Sequence, residues 1–178
     1  MLVYIIIGLA IIILFLVMLF SFLIKRNKIN KEKIKFIEAQ AQISLLLNKK
    51  KLLLSDIKDE LGDYKSILDG IENVDEYVED DFDYNNKLAE YYKRFFKLIN
   101  SDEFIDNHIK SDEFDKLFSL IKEEEESLSG CIKYHNAKAE AYNSIISTFF
   151  GKIVCLISGD KKTKYFSNEK VELFNILK

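Results

Sequence analysis

The sequence contains no proline, and its 178 residues include only six glycines, at Gly8, Gly62, Gly70, Gly130, Gly151 and Gly159. Short strands joined by tight turns need that punctuation, so its scarcity favours long helices. A surplus of positive charge is missing as well. The chain carries 26 basic against 29 acidic residues, for a formal net charge of −3, which lacks the excess that gripping nucleic acid demands. Also missing are a glycine-rich phosphate loop, a His-x-x-x-His pair, a nucleophile with a histidine base at a recognisable spacing, and carboxylate pairs that stand apart from ordinary surface acids. No catalytic residue, cofactor or metal ligand is therefore expected; His108 and His135 are the only histidines.

What the sequence does have is the run Leu2 to Ile24, without a single charge. At ~1.5 Å rise per residue it is roughly 34 Å long as a helix, enough to cross a hydrocarbon core of ~30 Å. A transmembrane anchor is expected over 1–24, with Leu2, Ile5, Ile12, Phe15, Phe20 and Ile24 among the residues facing lipid. Only Met1 precedes the run, whereas Lys25, Arg26, Lys28, Lys31, Lys33 and Lys35 follow it in a basic juxtamembrane segment, 25–35. Basic residues stay on the cytoplasmic side, which predicts an N-terminus outside and a cytoplasmic main domain, in a single-pass cell-membrane protein. The same residues are placed to touch anionic headgroups. A cleaved signal would have a basic region first, a shorter apolar core and a small-x-small site, none of which is present. In a cytoplasmic domain Cys131 and Cys155 read as reduced packing residues rather than a disulfide.

The remainder is long enough for one domain with a real core. From Lys31 to about Ile71 apolar residues recur in steps of three and four, through Phe36, Ile43, Leu47, Leu54, Ile57, Leu61, Tyr64 and Leu68, with Gln40 and Lys50 filling two steps. That alternation belongs to a helix packed along a bundle or coiled-coil seam. Asn73 to Asp83 reads as a solvated acidic loop, without the alternating ligands and glycine of a calcium loop. Leu88, Tyr91, Tyr92, Phe95, Phe96 and Ile99 predict a helix from about Asp83 to Asn100 with an aromatic core face. Ser101 and Ser111 each open an SDEF tetrapeptide and read as N-caps.

From Phe114 the seam continues through Phe118, Ile121, Glu125, Leu128, Ile132, His135, Ala139, Tyr142, Ile146, Phe149 and Ile153. One helix of about eleven turns, ending at Gly159, is the expectation. Glu125 stands where an apolar residue belongs, and a lysine of the Lys49 to Lys51 run is its expected partner, fixing register. Phe149 to Ile157 is apolar on nearly all sides and too short to span, so it is either buried or in contact with the membrane surface. The tail, 160–178, carries Tyr165, Phe166, Val171, Leu173, Phe174, Ile176 and Leu177, with docking on the bundle or binding a partner left open.

The stretch YHNAKAEAYNSIISTFFGKIVCLISGDKKTKYF resembles the C-terminal signature of the LemA family, in which paired Tyr-Asn steps lead to Phe-Pro-Gly, an apolar segment, Gly and then Tyr-Phe. The corresponding residues are His135 and Asn136, Tyr142 and Asn143, Phe149, Phe150 and Gly151, Gly159, and Tyr165 and Phe166. Phe114, Leu117 and Glu125 match the family's upstream spacing. Leu47, Lys49, Lys50, Leu53, Leu54, Ile57, Leu61 and Tyr64 are similar to its first motif, Leu-x-basic-basic-x-x-Leu-Ile followed by an apolar run ending at Tyr. Departures fall at Leu52 and Ser55, where the family has Asp and Pro, at His135 for its first Tyr, and at Phe150 for Pro. The resemblance implies an antiparallel helical bundle, LemA-like over 36–159, held on the cytoplasmic membrane face. It carries no catalytic residue across, and it suggests membrane-bound metallopeptidases as associates.

Together these readings predict an all-α protein, a single N-terminal transmembrane helix followed by an elongated antiparallel three- to four-helix up-and-down bundle. The expected role is that of a non-catalytic scaffold or adaptor on the bilayer, meeting other membrane or cytoplasmic proteins and no nucleic acid. An enzyme or peptidase regulator with a site built from scattered residues is the second class. A self-assembling coiled coil, and hence a homo-oligomer, is the third.

Overall fold

Uncharged aliphatic residues followed by a three-four alternation, with no proline between them, give the backbone no reason to leave the helix after the apolar run. In the structure, a computed structural model that describes residues 1–107 and 111–167, the first helix α1 is unbroken from Leu2 to Asp59, 58 residues. Two 3-10 helices follow, Gly62–Leu68 and Ile71–Tyr77. Then come α2 (Asp81–Ile99), α3 (Asp102–Asn107), α4 (Asp112–Ile146) and α5 (Phe149–Ser158). No strand occurs among the described residues.

The chain divides into two compact units, Met1–Ile37 with Asn136–Lys164 and Glu38–His135 with Tyr165–Lys178. In the second unit one face of every element enters a common core. Ile43, Leu47, Leu54 and Ile57 of α1 join Leu68, Ile71 and Val74 of the 3-10 segment, Leu88, Tyr92 and Phe95 of α2, Phe104 of α3, and Phe114, Ile121, Leu128 and Ile132 of α4. The aromatic stripe of α2 is core, as its spacing predicts. In the first unit a smaller cluster unites Ile29 and Phe36 of α1 with Tyr142, Ile145 and Ile146 of α4 and Val154 of α5.

Both serine caps form. Ser101 Oγ accepts from Phe104 N at 3.3 Å, and Ser111 Oγ accepts from Phe114 N at 3.0 Å. Ser111 also donates to Glu60 Oε2 at 2.6 Å. Asp80 caps α2 by accepting from Asp83 N at 2.9 Å, and Asp81 in that first turn takes hydrogen bonds from Ser44 (2.7 Å) and Gln40 (3.3 Å) of α1.

Three expectations need correction. The first long helix stops at Asp59 instead of reaching Ile71: Glu60 N and Leu61 N donate three residues back, at 3.1 and 3.2 Å, and Gly62 turns to φ +57, a conformation only glycine enters at little cost. Leu61, Leu68 and Ile71 stay fully buried, because a 3-10 turn returns a side chain to the same face every three residues and imitates the seam. The acidic stretch after Asn73 is solvated as expected, with Asp75, Glu76 and Glu79 exposed, but it is not loop throughout. Its first part is 3-10 helix, Asp75 pairs with Lys51, and the preceding Glu72 and Asp69 pair with Lys58 at 2.9 and 3.0 Å. Finally, the last long helix is two helices: α4 ends at Ile146 and α5 departs from it at 98°. At the corner Ser147 and Thr148 hydroxyls donate to Asn143 O and Ile145 O, both at 2.7 Å, and Thr148 then caps α5 by accepting from Gly151 N at 3.1 Å. A Cβ on Gly151 would fall on the carbonyl of Ile145 and lie 2.9 Å from Ile146 Cα; no other residue fits.

Candidate functional site

Polar side chains of the second unit converge where α1 meets α4. Lys50 occupies a seam position of α1 and is 2% exposed. Its ammonium lies 2.6 Å from Glu125 Oε2 and 4.8 Å from the ring centroid of Tyr92 on α2. The expected partnership between Glu125 and the lysine run is thus present, through Lys50. Beside it Lys49, exposed, reaches the buried Glu124 with Nζ 2.5 Å from Oε2. A hydrogen bond with Glu124 holds the Lys49 ammonium above its ordinary value, and burial, reinforced by the charge of Glu125, pushes the Tyr92 phenol well up. Each pair thus sets one buried charge, Lys50 or Glu124, against a partner that reaches toward solvent. Burying one such charge alone is prohibitive, so the pairs fix which turn of α1 lies against which turn of α4.

Neighbouring motif positions are apolar support for this centre. Leu47, Leu53, Phe114 and Leu117 are buried, and Tyr64 is half-buried and meets Phe104 edge-to-face with ring centroids 5.4 Å apart, while the Phe104 and Phe114 centroids lie 6.0 Å apart. Phe166 is buried too. It stacks on Phe82 at 4.2 Å and meets the fully buried His135 edge-on at 4.9 Å, while Ser167 O accepts from Asn85 at 3.3 Å. The tail is therefore docked as far as Ser167. Its residues Val171, Leu173, Phe174, Ile176 and Leu177, like His108, lie outside the described residues.

In the first unit the second motif grips main chain. The Tyr142 hydroxyl, pushed up to about 12 by burial and the charge of Asp160, donates to Lys161 O at 3.0 Å. Asn143 makes a two-point contact with Thr163, its amide donating to Thr163 O and its carbonyl accepting from Thr163 N, each at 3.0 Å. Asn136 is half-buried on the same helix. Gly159 ends α5 with its N–H donating to Cys155 O at 2.8 Å, and burial pushes the Cys155 thiol up. Phe149, by contrast, is exposed, as is Tyr165 of the second unit.

Along α1 of the same unit Ile5, Ile12, Phe15, Phe20 and Ile24 are 59–65% exposed; the side chain of Leu2 lies outside the described residues. The best apolar window of the helix has a mean hydropathy of 3.2, and none of it is buried. Arg26, Lys28 and Lys31 are exposed and Lys25 half-buried. Lys33 and Lys35 are engaged: Lys33 lies 2.5 Å from Asp160, and Lys35 2.9 Å from Glu32. At Asp160 burial works upward, but hydrogen bonds from Lys33 and Ser158 win and leave the carboxyl below its ordinary value. At Glu32 the hydrogen bond from Lys35 does the same.

Sequence reasoning passed over Glu124, Thr148, Asp160 and Thr163, and it placed Tyr92 in the core without its contact to Lys50. Glu124 had a usable signal, since it stands three residues after Ile121 and four before Leu128, on the seam side of an acidic run. Thr148 followed three residues later by Gly151 has cap spacing. Among the described residues no group of three or more His, Cys, Asp or Glu side chains is placed to hold a metal.

Among the described residues the regular structure is all helical, and one helix is long and apolar enough to cross a membrane. No family model matches the chain, and neither does any curated protein or solved structure.

Proposed function

We propose that the protein is a non-catalytic scaffold or adaptor, anchored in the membrane by residues 1–24 and folded as an antiparallel helical bundle on the cytoplasmic face, with the LemA family as the relative its motifs resemble. The observation that carries this reading is the continuity of α1, whose exposed apolar part passes without a break into turns that form the folded core. Water would not tolerate five large apolar side chains at 59–65% exposure in succession on one rod. A bilayer removes that cost, and the basic residues after Ile24 favour a cytoplasmic domain. The bundle arrangement is supported by two contacts in which one number rises as the other falls: Lys49 of α1 with Glu124 of α4, and Glu60, just past α1, with Ser111, just before α4.

Against catalysis, the desolvated ionisable groups Lys50 and Glu124 are each 2% exposed and engaged with an opposite charge. Groups so enclosed hold helices and cannot meet a substrate. Against self-assembly through the long seam, Phe114, Ile121, Leu128, Ile132, Ala139, Tyr142 and Ile146 are covered by the chain's own residues. The reading is tested on sealed membrane vesicles of both orientations. The full chain should resist carbonate extraction, and protease should remove everything beyond Ile24 only from inverted vesicles. Release by carbonate, or digestion from right-side-out vesicles, overturns the anchor or the orientation respectively. Crosslinking in intact cells then separates the roles: adducts with other proteins support the adaptor, and adducts only with further copies of the chain support self-assembly.

A further inference from the structure

We propose that α5 is an interfacial helix, lying on the bilayer surface at the foot of the anchor with lipid as the occupant of its exposed apolar face; this rests on the membrane anchoring proposed above. Within its unit α5 is held from one side only. Val154 is buried and Cys155 half-buried in the cluster that includes Phe22 and Ile29 of α1, and Asp160, just past the helix, is ion-paired with Lys33. These contacts fix the level of α5 along α1 between Phe22 and Lys33, a rise of about 16 Å that begins in the last apolar turn. If the run ending at Ile24 fills the hydrocarbon, this is where a headgroup layer of roughly 5–7 Å begins.

Direction agrees with level. The last turns of α4 pack on α1, with Phe36 and Tyr142 in ring contact at 5.0 Å and Ile145 and Ile146 in one cluster with Ile29 and Phe36, and α5 turns away from α4 by 98°. It therefore runs across the anchor, in the plane a bilayer surface would occupy. Its outer face carries Phe149 at 71%, Leu156 at 87% and Ile157 at 71% exposure, with Phe150 and Ile153 half-buried beside them. At 10 residues the helix is about 15 Å long, half of what spanning needs. A short helix with one face packed, the other apolar and cations nearby is the form that lies in a membrane interface. The cations are Lys152, Lys161 and Lys162, exposed on and after α5, and Arg26, Lys28 and Lys31, exposed on α1; they complement anionic headgroups.

The chain contains no tryptophan, so one introduced residue reports its own surroundings. The full chain carrying Leu156→Trp, and separately Ile157→Trp, would be reconstituted into vesicles of phosphatidylcholine with a minority of phosphatidylglycerol, with or without bromine high on the acyl chains. Phe15→Trp reports the anchor and Leu45→Trp, exposed on α1, reports water. The expected result is that bromolipid lowers emission at least about twofold for the α5 reporters and for Phe15→Trp, and leaves Leu45→Trp unchanged. Quenching of Phe15→Trp alone overturns the inference while leaving the anchor intact. Failure to quench Phe15→Trp sinks the anchor and the inference together. α5 emission that responds to protein density and not to bromine assigns the face to a second copy and overturns the lipid assignment.

Discussion

The first third of α1 and the turns from Ile29 to Ile57 are one continuous helix built for two surroundings. Over the first part apolar side chains point outward all round, with Ile5, Phe15 and Ile24 as exposed as Leu9 and Ile13. Over the second, only one stripe is inside: Ile29, Phe36, Ile43, Leu47, Lys50, Leu54 and Ile57 are buried while Ile37, Leu45 and Leu52 are exposed. The difference teaches that helix formation and choice of solvent are separate decisions. Absence of proline permits the first in both parts; the distribution of polar residues around the rod sets the second.

Substitutions matched between the two parts can break or sharpen that contrast. Leu54→Ala should lower unfolding stability by about 4 kcal/mol, because it opens a cavity in a closed core. Leu14→Ala in the outward-facing part should leave urea unfolding in detergent, followed by circular dichroism, unchanged. Lys50→Ala should cost about 3 kcal/mol by stranding Glu125 without its cation, whereas Lys50→Met combined with Glu125→Leu should recover most of the loss. If the double variant were as unstable as the single one, packing rather than charge would explain the position. Ile12→Lys should oppose membrane insertion by about 2.5 kcal/mol, measured as the inserted fraction in a translocation assay, and Leu45→Lys should have no effect there.

Acid should give the smallest effect and should act only outside the anchor run, which holds no carboxylate. Glu32, Glu72, Asp75 and Asp160 all sit below their ordinary values of 4.5 for Glu and 3.8 for Asp, held there by lysine hydrogen bonds, which at Asp160 overcome the opposing effect of burial. A carboxylate lowered in the folded state adds stability above its unfolded value and loses it as pH falls through the folded one. The urea midpoint should therefore hold from neutral pH down to about pH 5 and decline below about pH 4. A decline that begins above pH 6 would overturn the assignment to these carboxylates.

Much of this architecture is legible in the residues because it rests on composition and local chemistry. The uncharged run, the Ser101 and Ser111 caps and the aromatic face of α2 are each declared by side chains within a few positions of one another. The Lys50–Glu125 pair is legible for a related reason: a charge on an apolar seam demands an opposite charge, and the chain offers few candidates at the right distance. What the sequence hides is the ending of helices. Steps of three and four persist from Leu61 to Ile71 and from Tyr142 to Ile153, yet the first stretch is 3-10 turns and the second contains a right-angled corner. Periodicity records which side faces the core and is blind to the axis changing direction. The seat of Phe166 was hidden differently, since the Tyr165 and Phe166 pair follows no helical period, and its pocket between Phe82 and His135 is made by residues remote in sequence.

The grip of Asn143 on Thr163 has a corollary for how this part of the chain can vary. The amide reads only peptide atoms, one carbonyl and one N–H, and Tyr142 likewise takes only the carbonyl of Lys161. Side chains at 161 and 162 are consequently spectators of the clasp, at liberty to be exchanged for neutral or acidic ones while the segment they belong to keeps its course. Surface charge in that neighbourhood is an adjustable dial, set independently of the fastening beneath it.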